Sequence, residues 1–557
     1  MQNSIEMATT GKRTITLTTA LWLVLMTTIV VIVAFCHFPD GADWKWCIPL
    51  EGSFHIPMML AGAALVGLIA FVCFKCSKGS EIRRGRLLAV SGIVTVVQIV
   101  LMYSYYVHTN WDVQQVTGVA KAMATGGDID EFSSYFGWNP NNLFLSRIFA
   151  AVFFLTGPLW GMKVTLFPLL VLQSVGACLT ALMLVQTAMH IWHRKDCVIL
   201  TYVLYLLLVW MSPWWSIPYS DIWGLMVAVA ILWTATTLPF KRLWLKLMIL
   251  GAATVVGYYI RPQTVFVPLA ILVVRGLKGL KGLKGYKGLK GLKGYKGLKG
   301  WKGWKGWKGV KGLKGVMRPS GFVLAGIASG FIIVNVAMIG CPLHLHTSKA
   351  LGPTHYLMLG ANYQSIGIYS AQDVDFSRSY PKKKERKKAE MQETLRRYRA
   401  LEAKGTLILW GRKNLLNFSD GTFYWGREGN FFKEVPERSG AVAKLTRSLF
   451  HRREGSGSNY VGWSVCATSL WFGIVVLSLF AALPRRRGAI NISTYQHINV
   501  STFTIEAVML AVLMLILFHT LCEARARYLF CFTPLFVLIA VEGFARIFGD
   551  KGEIGRS

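Results

Sequence analysis

The sequence predicts an all-α protein that crosses a membrane many times, and three observations support this fold class. Of the 557 residues, 53% are hydrophobic, and the mean hydropathy is +0.43. Apolar runs of about 17–25 residues, long enough to cross the ~30 Å hydrocarbon core, recur along the chain. Lys and Arg are concentrated in the segments between these runs, as in other membrane proteins. A soluble domain does not combine these features, so we predict about 12 to 14 transmembrane helices.

The charges of the connecting segments predict how the chain threads the membrane. Runs 14–36 and 56–74 lead to the basic segment KCSKGSEIRRGR, and short basic segments normally stay in the cytoplasm. The later segments HRKD, FKRLWLK and PRRR fit the same side. Segment 143–165 must then begin and end outside, either as a hairpin or as a re-entrant or interface-lying piece. Both termini are predicted to be cytoplasmic, and the first run is too long for a cleaved signal peptide.

The threading divides the chain into six regions. They are an N-terminal tail with two helices (1–86), a membrane core (87–276) with a large outer loop (108–142), a Lys-Gly tract (277–315), one helix (316–340), an outer segment (341–459) and C-terminal helices with a cytoplasmic tail (460–557). The outer segment contains the basic stretch PKKKERKK, but long loops escape the charge rule. We expect it to form a small extramembrane domain.

The Lys-Gly tract consists of thirteen consecutive triplets in which Lys and Gly follow Leu, Tyr, Trp or Val. A period of three fits neither a helix nor a strand, and the tract lacks the Pro of collagen. We predict a disordered cytoplasmic loop that contacts anionic membrane lipids. The simpler interpretation, an expanded repeat without a function, is favoured.

The net charge of +34 does not indicate a nucleic-acid partner, because the charge lies in loops between membrane helices. Most of the ten Cys lie within apolar runs, where they act as small hydrophobic residues. A single CxxC at Cys73 and Cys76 lacks the second pair of a zinc site. No spacing of His, Asp or Glu demands a metal, so no cofactor is predicted and the need for a divalent metal stays open.

Four polar clusters are predicted to face outside together. Their candidate site residues are Asn110, Asp112, Gln115, Asn141 and Asn142 in the first large loop, Tyr219 and Asp221 in IPYSD, Arg261 in the next turn, and Glu523, Arg525, Arg527 and Tyr528 in CEARARY. Each has a simpler explanation: Asp112 as a solvated helix end, Asp221 as the N-cap of a helix beginning at Ile222. Together, however, a carboxylate and several guanidinium groups suit a reaction with a phosphate leaving group.

Several of these segments resemble a family of bacterial multi-pass glycosyltransferases, the GT-C superfamily. The segments are TNWDVQQV, GWNPNNLFLSRI, IPYSDIWGL, GYYIRPQTVFVPLA and EARARYLFCFTPLFVLIA, and they are similar to those of protein O-mannosyltransferases and the aminoarabinose transferase of lipid A. The resemblance implies a GT-C-like helical bundle, a polyprenyl-phosphate sugar donor and transfer outside the bacterial cytoplasmic membrane. It also implies an Asp base in the first large outer loop, and Asp112 matches that position.

The sequence departs from the family pattern after Asp112. The family often pairs two acidic residues there, but Val113 follows Asp112 in this chain, so Asp128, Asp130 and Glu131 are candidates for the second acid. We expect an inverting transfer to an envelope glycan, lipid or protein, with Asp112 as base and with Arg525 and Arg527 on the phosphate, where Arg261 is a further candidate.

The alternative is a transporter or flippase of lipid-linked glycans. That class requires charges at the membrane midplane on several helices. The predicted clusters lie at one rim of the membrane, which favours an enzyme.

Overall fold

The protein is an integral membrane bundle of α-helices in the computed structural model. The structure describes residues 16–36, 55–77, 83–105, 111–160, 166–237, 243–284, 311–341, 347–425, 440–451, 458–484 and 492–548. Within these ranges there is no β-strand, so the prediction of an all-α polytopic protein is confirmed. The site residue Asn110 lies outside the described residues.

Twenty α-helices follow one another along the described chain. They are α1 Leu17–Phe35, α2 His55–Ser77, α3 Arg84–Tyr105, α4 Asp112–Thr125, α5 Ser133–Trp138, α6 Leu143–Trp160, α7 Phe167–Trp192, α8 Lys195–Tyr205, α9 Ser220–Thr237, α10 Leu243–Ile260, α11 Phe266–Lys284, α12 Lys311–Met338, α13 Pro353–Gly360, α14 Ala371–Arg378, α15 Lys383–Phe418, α16 Ala441–Phe450, α17 Ser458–Leu479, α18 Ile492–Leu521, α19 Arg527–Phe530 and α20 Thr533–Phe548.

Nine helices of the described chain are long and apolar enough to span a membrane: α1, α2, α3, α7, α9, α10, α12, α17 and α18. Three shorter elements occupy the other predicted crossings: the apolar start of α11, α20, and α8 with the π-helical turn Leu206–Trp210 that continues it. These twelve elements coincide with the twelve predicted runs. Helix α6 is continuous through Trp160, so segment 143–165 does not form the hairpin that a count of fourteen requires.

Small residues allow the closest helix contacts of the bundle. An added Cβ on Gly251 of α10 would lie 2.6 Å from the Val323 carbonyl oxygen of α12, and one on Gly330 would lie 2.7 Å from the Val255 Cβ. Gly62 of α2 likewise abuts the backbone of Ser469 in α17. Association of helices in lipid depends on such close packing because burial away from lipid tails offers little hydrophobic gain.

The Lys-Gly tract is helical at both ends. Helix α11 continues to Lys284 and α12 begins at Lys311, whereas we expected a disordered loop throughout 277–315. The adjoining transmembrane helices extend into the tract, because Lys and Leu are good helix formers and each added residue needs no new nucleation. The middle of the tract, 285–310, lies outside the described residues.

The outer segment is helical and packs against the bundle. Helices α13, α14 and the first part of α15 form a small unit, and the predicted charged helix near 382–404 is part of α15. At Glu402 the backbone leaves helical geometry (φ 55°, ψ −171°), and α15 bends there. Its second part packs on α1 and α18, which brings the segment to the end of the bundle that carries Asp112. We call this the Asp112 end.

Candidate functional site

Asp112 is the first residue of α4, and a buried tyrosine donates a hydrogen bond to its carboxylate. The Tyr219 hydroxyl lies 3.0 Å from Asp112 Oδ2 and accepts from Asn142 Nδ2 at 3.3 Å. The same amide nitrogen donates to the Tyr135 hydroxyl at 2.6 Å. Burial, reinforced by the nearby Asp112 carboxylate, raises the pKa of Tyr219 well above its ordinary value. Tyr219 therefore remains a proton donor that orients the carboxylate.

Arg261 and Asp221 form a buried ion pair beside this carboxylate. Arg261 Nη2 lies 2.8 Å from Asp221 Oδ1, and the side chains are 7% and 3% exposed. Nη1 of Arg261 donates to Ser220 Oγ at 3.0 Å, while Nε has no hydrogen-bond partner among the described residues. Gly224 provides the space, since a Cβ there would lie 2.9 Å from the Arg261 Cβ. The Arg261 guanidinium group is thus held in place, while its Nε–H has no hydrogen-bond partner among the described residues.

Arg527 is a second buried guanidinium at the same place. Its central carbon lies 4.2 Å from the ring centroid of Trp111 and 5.6 Å from that of Tyr219. Nη1 lies 4.0 Å from Asp221 Oδ2, on the other oxygen from the one that Arg261 approaches. Cation–π contacts of this kind stabilise a desolvated Arg. One carboxylate, Asp221, therefore lies between two guanidinium groups.

Glu523, Arg525 and Tyr528 form the edge of the site. The Tyr528 hydroxyl donates to Glu523 Oε2 at 3.1 Å, and Arg525 Nε lies 3.4 Å from Glu523 Oε1. The Arg525 side chain is 25% exposed and that of Arg527 only 4%. We expected the two to act together, but they differ in burial and in partner. Arg527 shares Asp221 with Arg261 instead.

The outer segment contributes residues that sequence reasoning missed. Tyr356 of α13 faces Glu523, Tyr528 and Asp112, and burial raises its pKa. Lys413 of α15 is fully buried and donates to the carbonyl oxygens of Gly360 at 3.0 Å and Cys522 at 2.6 Å.

A backbone bond, Ala524 N to Gly367 O at 2.9 Å, joins the same two segments. Tyr356 lies in the segment HYLMLGANYQSIGIY, which shares the family resemblance, but nothing in that segment singled out the tyrosine, and Lys413 lies in none of the segments that carry the resemblance. Trp111 and Tyr135 flank predicted residues, but their aromatic types alone indicated only packing.

Two expectations about the site need correction. Asp221 is not the N-cap of a helix beginning at Ile222, because α9 already begins at Ser220 and the carboxylate binds Arg261. Asp128, Asp130 and Glu131 are not partners of Asp112. They follow the C-terminal end of α4, whose 14 residues put that end roughly 20 Å from Asp112, and no hydrogen bond joins any of the three to Asp112 among the described residues.

The remaining predicted residues lie near the site but differ in their contacts. Asn141 donates to Asn142 Oδ1 at 3.1 Å and so contacts the network indirectly. Gln115 lies one turn along α4 from Asp112 and lines a surface groove. Among the described residues, no group of three or more His, Cys, Asp or Glu side chains could hold a metal ion.

A protein-family model described as "Conserved hypothetical integral membrane protein" matches residues 81–545. The match begins at the basic segment before α3 and ends within α20, so it includes all the segments that form the site. No curated protein and no solved structure matches the chain.

Proposed function

The chain belongs to this family of conserved integral membrane proteins, and from that premise we propose that it is a glycosyltransferase acting on a polyprenyl-phosphate sugar donor. The acceptor is a molecule of the bacterial cell envelope, and transfer takes place at the outer face of the cytoplasmic membrane. The observation that carries the proposal is the pairing of an oriented carboxylate, Asp112, with two buried guanidinium groups, those of Arg261 and Arg527.

In the proposed reaction Asp112 takes the proton from an acceptor hydroxyl as the hydroxyl oxygen bonds to the anomeric carbon. The bond from that carbon to the phosphate oxygen breaks, and polyprenyl phosphate leaves with the electron pair, which inverts the configuration. Arg261 and Arg527 bind the phosphate oxygens, because guanidinium N–H groups match phosphate geometry. Their positive charge is preorganised in a buried site, where it stabilises the developing anion more than it would in water.

Asp221 supports this assignment by its position between the two arginines. Its carboxylate reduces the cost of burying two guanidinium groups at the place where a phosphate would bind. The Tyr219 hydroxyl holds the Asp112 carboxylate in place from the opposite side, so base and anion site share a wall made of Trp111 and Tyr219.

The test is the variant Asp112→Asn, which keeps size but cannot accept the proton. Membranes with this variant are incubated with radiolabelled polyprenyl-phosphate sugars and cell-envelope acceptors, and transferred label is measured. We expect transfer to fall by about 10²–10⁴-fold at unchanged protein level and donor binding. The matched control is Asp128→Asn, an exposed aspartate beyond the other end of α4, which should transfer normally.

The arginines are tested by Lys substitutions that keep the charge but remove the planar fork. Arg527→Lys should mainly weaken donor binding, whereas the partly exposed Arg525→Lys should have a smaller effect. Near-normal turnover by Asp112→Asn would end the catalytic assignment. Movement of lipid-linked sugars across proteoliposome membranes by that variant would then favour the transporter.

A further inference from the structure

A groove along α4 begins beside Asp112 and has no assigned role. It encloses about 440 Å³, within the range of small-molecule sites, and it is open to the surface. Gln114, Gln115, Lys121 and Glu131 line it, together with the ring of Phe132. From Gln115 to Thr125, the last residue of α4, the groove follows eleven residues, or about 15 Å of helix.

The lining side chains are free to bind a ligand. The Gln114, Gln115, Lys121 and Glu131 side chains make no hydrogen bond within the described part of the chain. The residues fall on one stripe of α4, since positions three or four apart share a helix face. Asp112 is three residues before Gln115, so it lies one helical turn beyond the end of the groove at which Gln115 stands. A ligand lying in the groove would therefore present its end to the carboxylate.

The chemistry of the lining fits a neutral polyol. The amides of Gln114 and Gln115, the Lys121 ammonium group and the Glu131 carboxylate supply hydrogen-bond donors and acceptors. A sugar hydroxyl can both donate and accept a hydrogen bond, so it matches such a mixed lining. Lys121 and Glu131 balance in charge, so the groove does not select an anionic polymer. Ala122 and the 8% of Phe132 that is exposed give the apolar surface against which sugar C–H groups pack. The position of the Phe132 ring depends on Gly118, because a Cβ there would lie 2.9 Å from two ring carbons.

Peptide acceptors are a poorer match. Peptides are recognised by adding a strand to a sheet edge or by anchoring apolar side chains in a hydrophobic groove. The described residues form no strand, and apart from Phe132 the lining has no large apolar side chain of the kind that anchors a peptide. We propose that this groove binds the sugar chain of a glycan acceptor and directs its terminal hydroxyl to Asp112. The proposal rests on the proposed function and specifies its acceptor.

Photocrosslinking in cells tests the groove without relying on catalysis. The photoreactive amino acid p-benzoylphenylalanine replaces Gln114 or Lys121, and the matched control carries it at Lys388, an exposed lysine of α15. After irradiation, adducts of the purified protein are stained for periodate-sensitive carbohydrate and digested with glycosidases. We expect glycan adducts at 114 and 121, none at 388, and the same pattern in the Asp112→Asn background.

The groove is also tested by enzyme kinetics, with the assay that measures transfer of radiolabelled sugar to the acceptor. Gln115→Ala removes one hydrogen-bonding side chain and should raise the acceptor KM by about 2- to 10-fold with donor KM unchanged. Gly118→Ala, which displaces Phe132, should have the same signature, while Lys388→Ala should not. Equal effects on donor and acceptor KM would overturn the groove assignment.

The outcomes separate the two proposals. Adducts at 114 and 121 that contain only protein or lipid, or no adducts, would overturn the glycan groove while an inactive Asp112→Asn still supports the transferase. Glycan adducts together with a fully active Asp112→Asn would support the groove and refute Asp112 as the base.

Discussion

Breaking the buried ion pair should destabilise the protein strongly. Asp221→Leu leaves the Arg261 guanidinium, 7% exposed, without its countercharge at 2.8 Å, and it removes the carboxylate 4.0 Å from Arg527 as well. Loss of one partner of a buried pair typically costs about 3–5 kcal/mol, because the remaining charge stays desolvated. We expect the free energy of unfolding to fall by at least about 3 kcal/mol.

The assay is reversible unfolding in mixed detergent micelles by titration with SDS, followed by tryptophan fluorescence. The matched control is Glu385→Gln, which breaks an exposed pair with Lys382 at 3.2 Å; the two side chains are 57% and 80% exposed. An exposed pair of this kind contributes about 1 kcal/mol or less. The carboxylates of Asp221 and Glu385 thus carry the same charge, but only that of Asp221 is buried.

A double variant distinguishes an unpaired charge from a packing defect. Arg261→Met together with Asp221→Leu removes both charges and keeps apolar volume, so it should be more stable than Asp221→Leu alone. An Asp221→Leu protein that is at least as stable as the Glu385→Gln protein would refute the reasoning. A double variant as unstable as the single one would show that the loss comes from packing.

Further predictions concern pH, sidedness and the tract. Burial lowers the pKa of Lys413 to about 7 from 10.5, so the unfolded state binds more protons between these values. Stability should therefore rise with pH from about 7 to 10.5, by up to about 1.4 kcal/mol per pH unit, and Lys413→Met should flatten that rise in SDS titrations at several pH values. In cells, a membrane-impermeant maleimide should label Tyr369→Cys, an exposed position of the outer segment, but not the exposed native Cys76; labelling of Cys76 alone would invert the threading. Deletion of 285–310 with a short neutral linker should leave transfer intact, and a folded but inactive product would assign the tract a role.

Ser220 shows that a position predicted to lie outside the membrane need not be accessible. The threading puts Ser220 outside, and a cysteine there looks suitable for labelling. The side chain is buried, 4% exposed, and accepts a hydrogen bond from Arg261. A substitution would disturb the ion pair instead of reporting on the membrane side, so Tyr369 is the better probe.

The sequence by itself determined the membrane elements. A helix that crosses the membrane needs an apolar run long enough to span the hydrocarbon core. This requirement holds for each helix by itself, whatever its neighbours are, so the run can be found in the local sequence. Alternation of the runs also predicted that Asp112, Tyr219, Arg261 and Arg527 would lie at one end of the bundle, and their contacts agree. The helical ends of the Lys-Gly tract were not predicted. The three-residue repeat of the tract does not show that the helix next to it can continue into it.

The tertiary structure decided which polar residues meet. Arg525 and Arg527 are two positions apart in one motif, yet only Arg527 is turned into the bundle beside Asp221, because the direction of a side chain depends on how its short helix is seated. Tyr356 and Lys413 reach the site from the outer segment, where no local pattern singled out either residue. Pairing across distant segments depends on helix tilt, close contact at glycines and the bend at Glu402, and these are properties of the packed bundle that no single stretch of sequence contains.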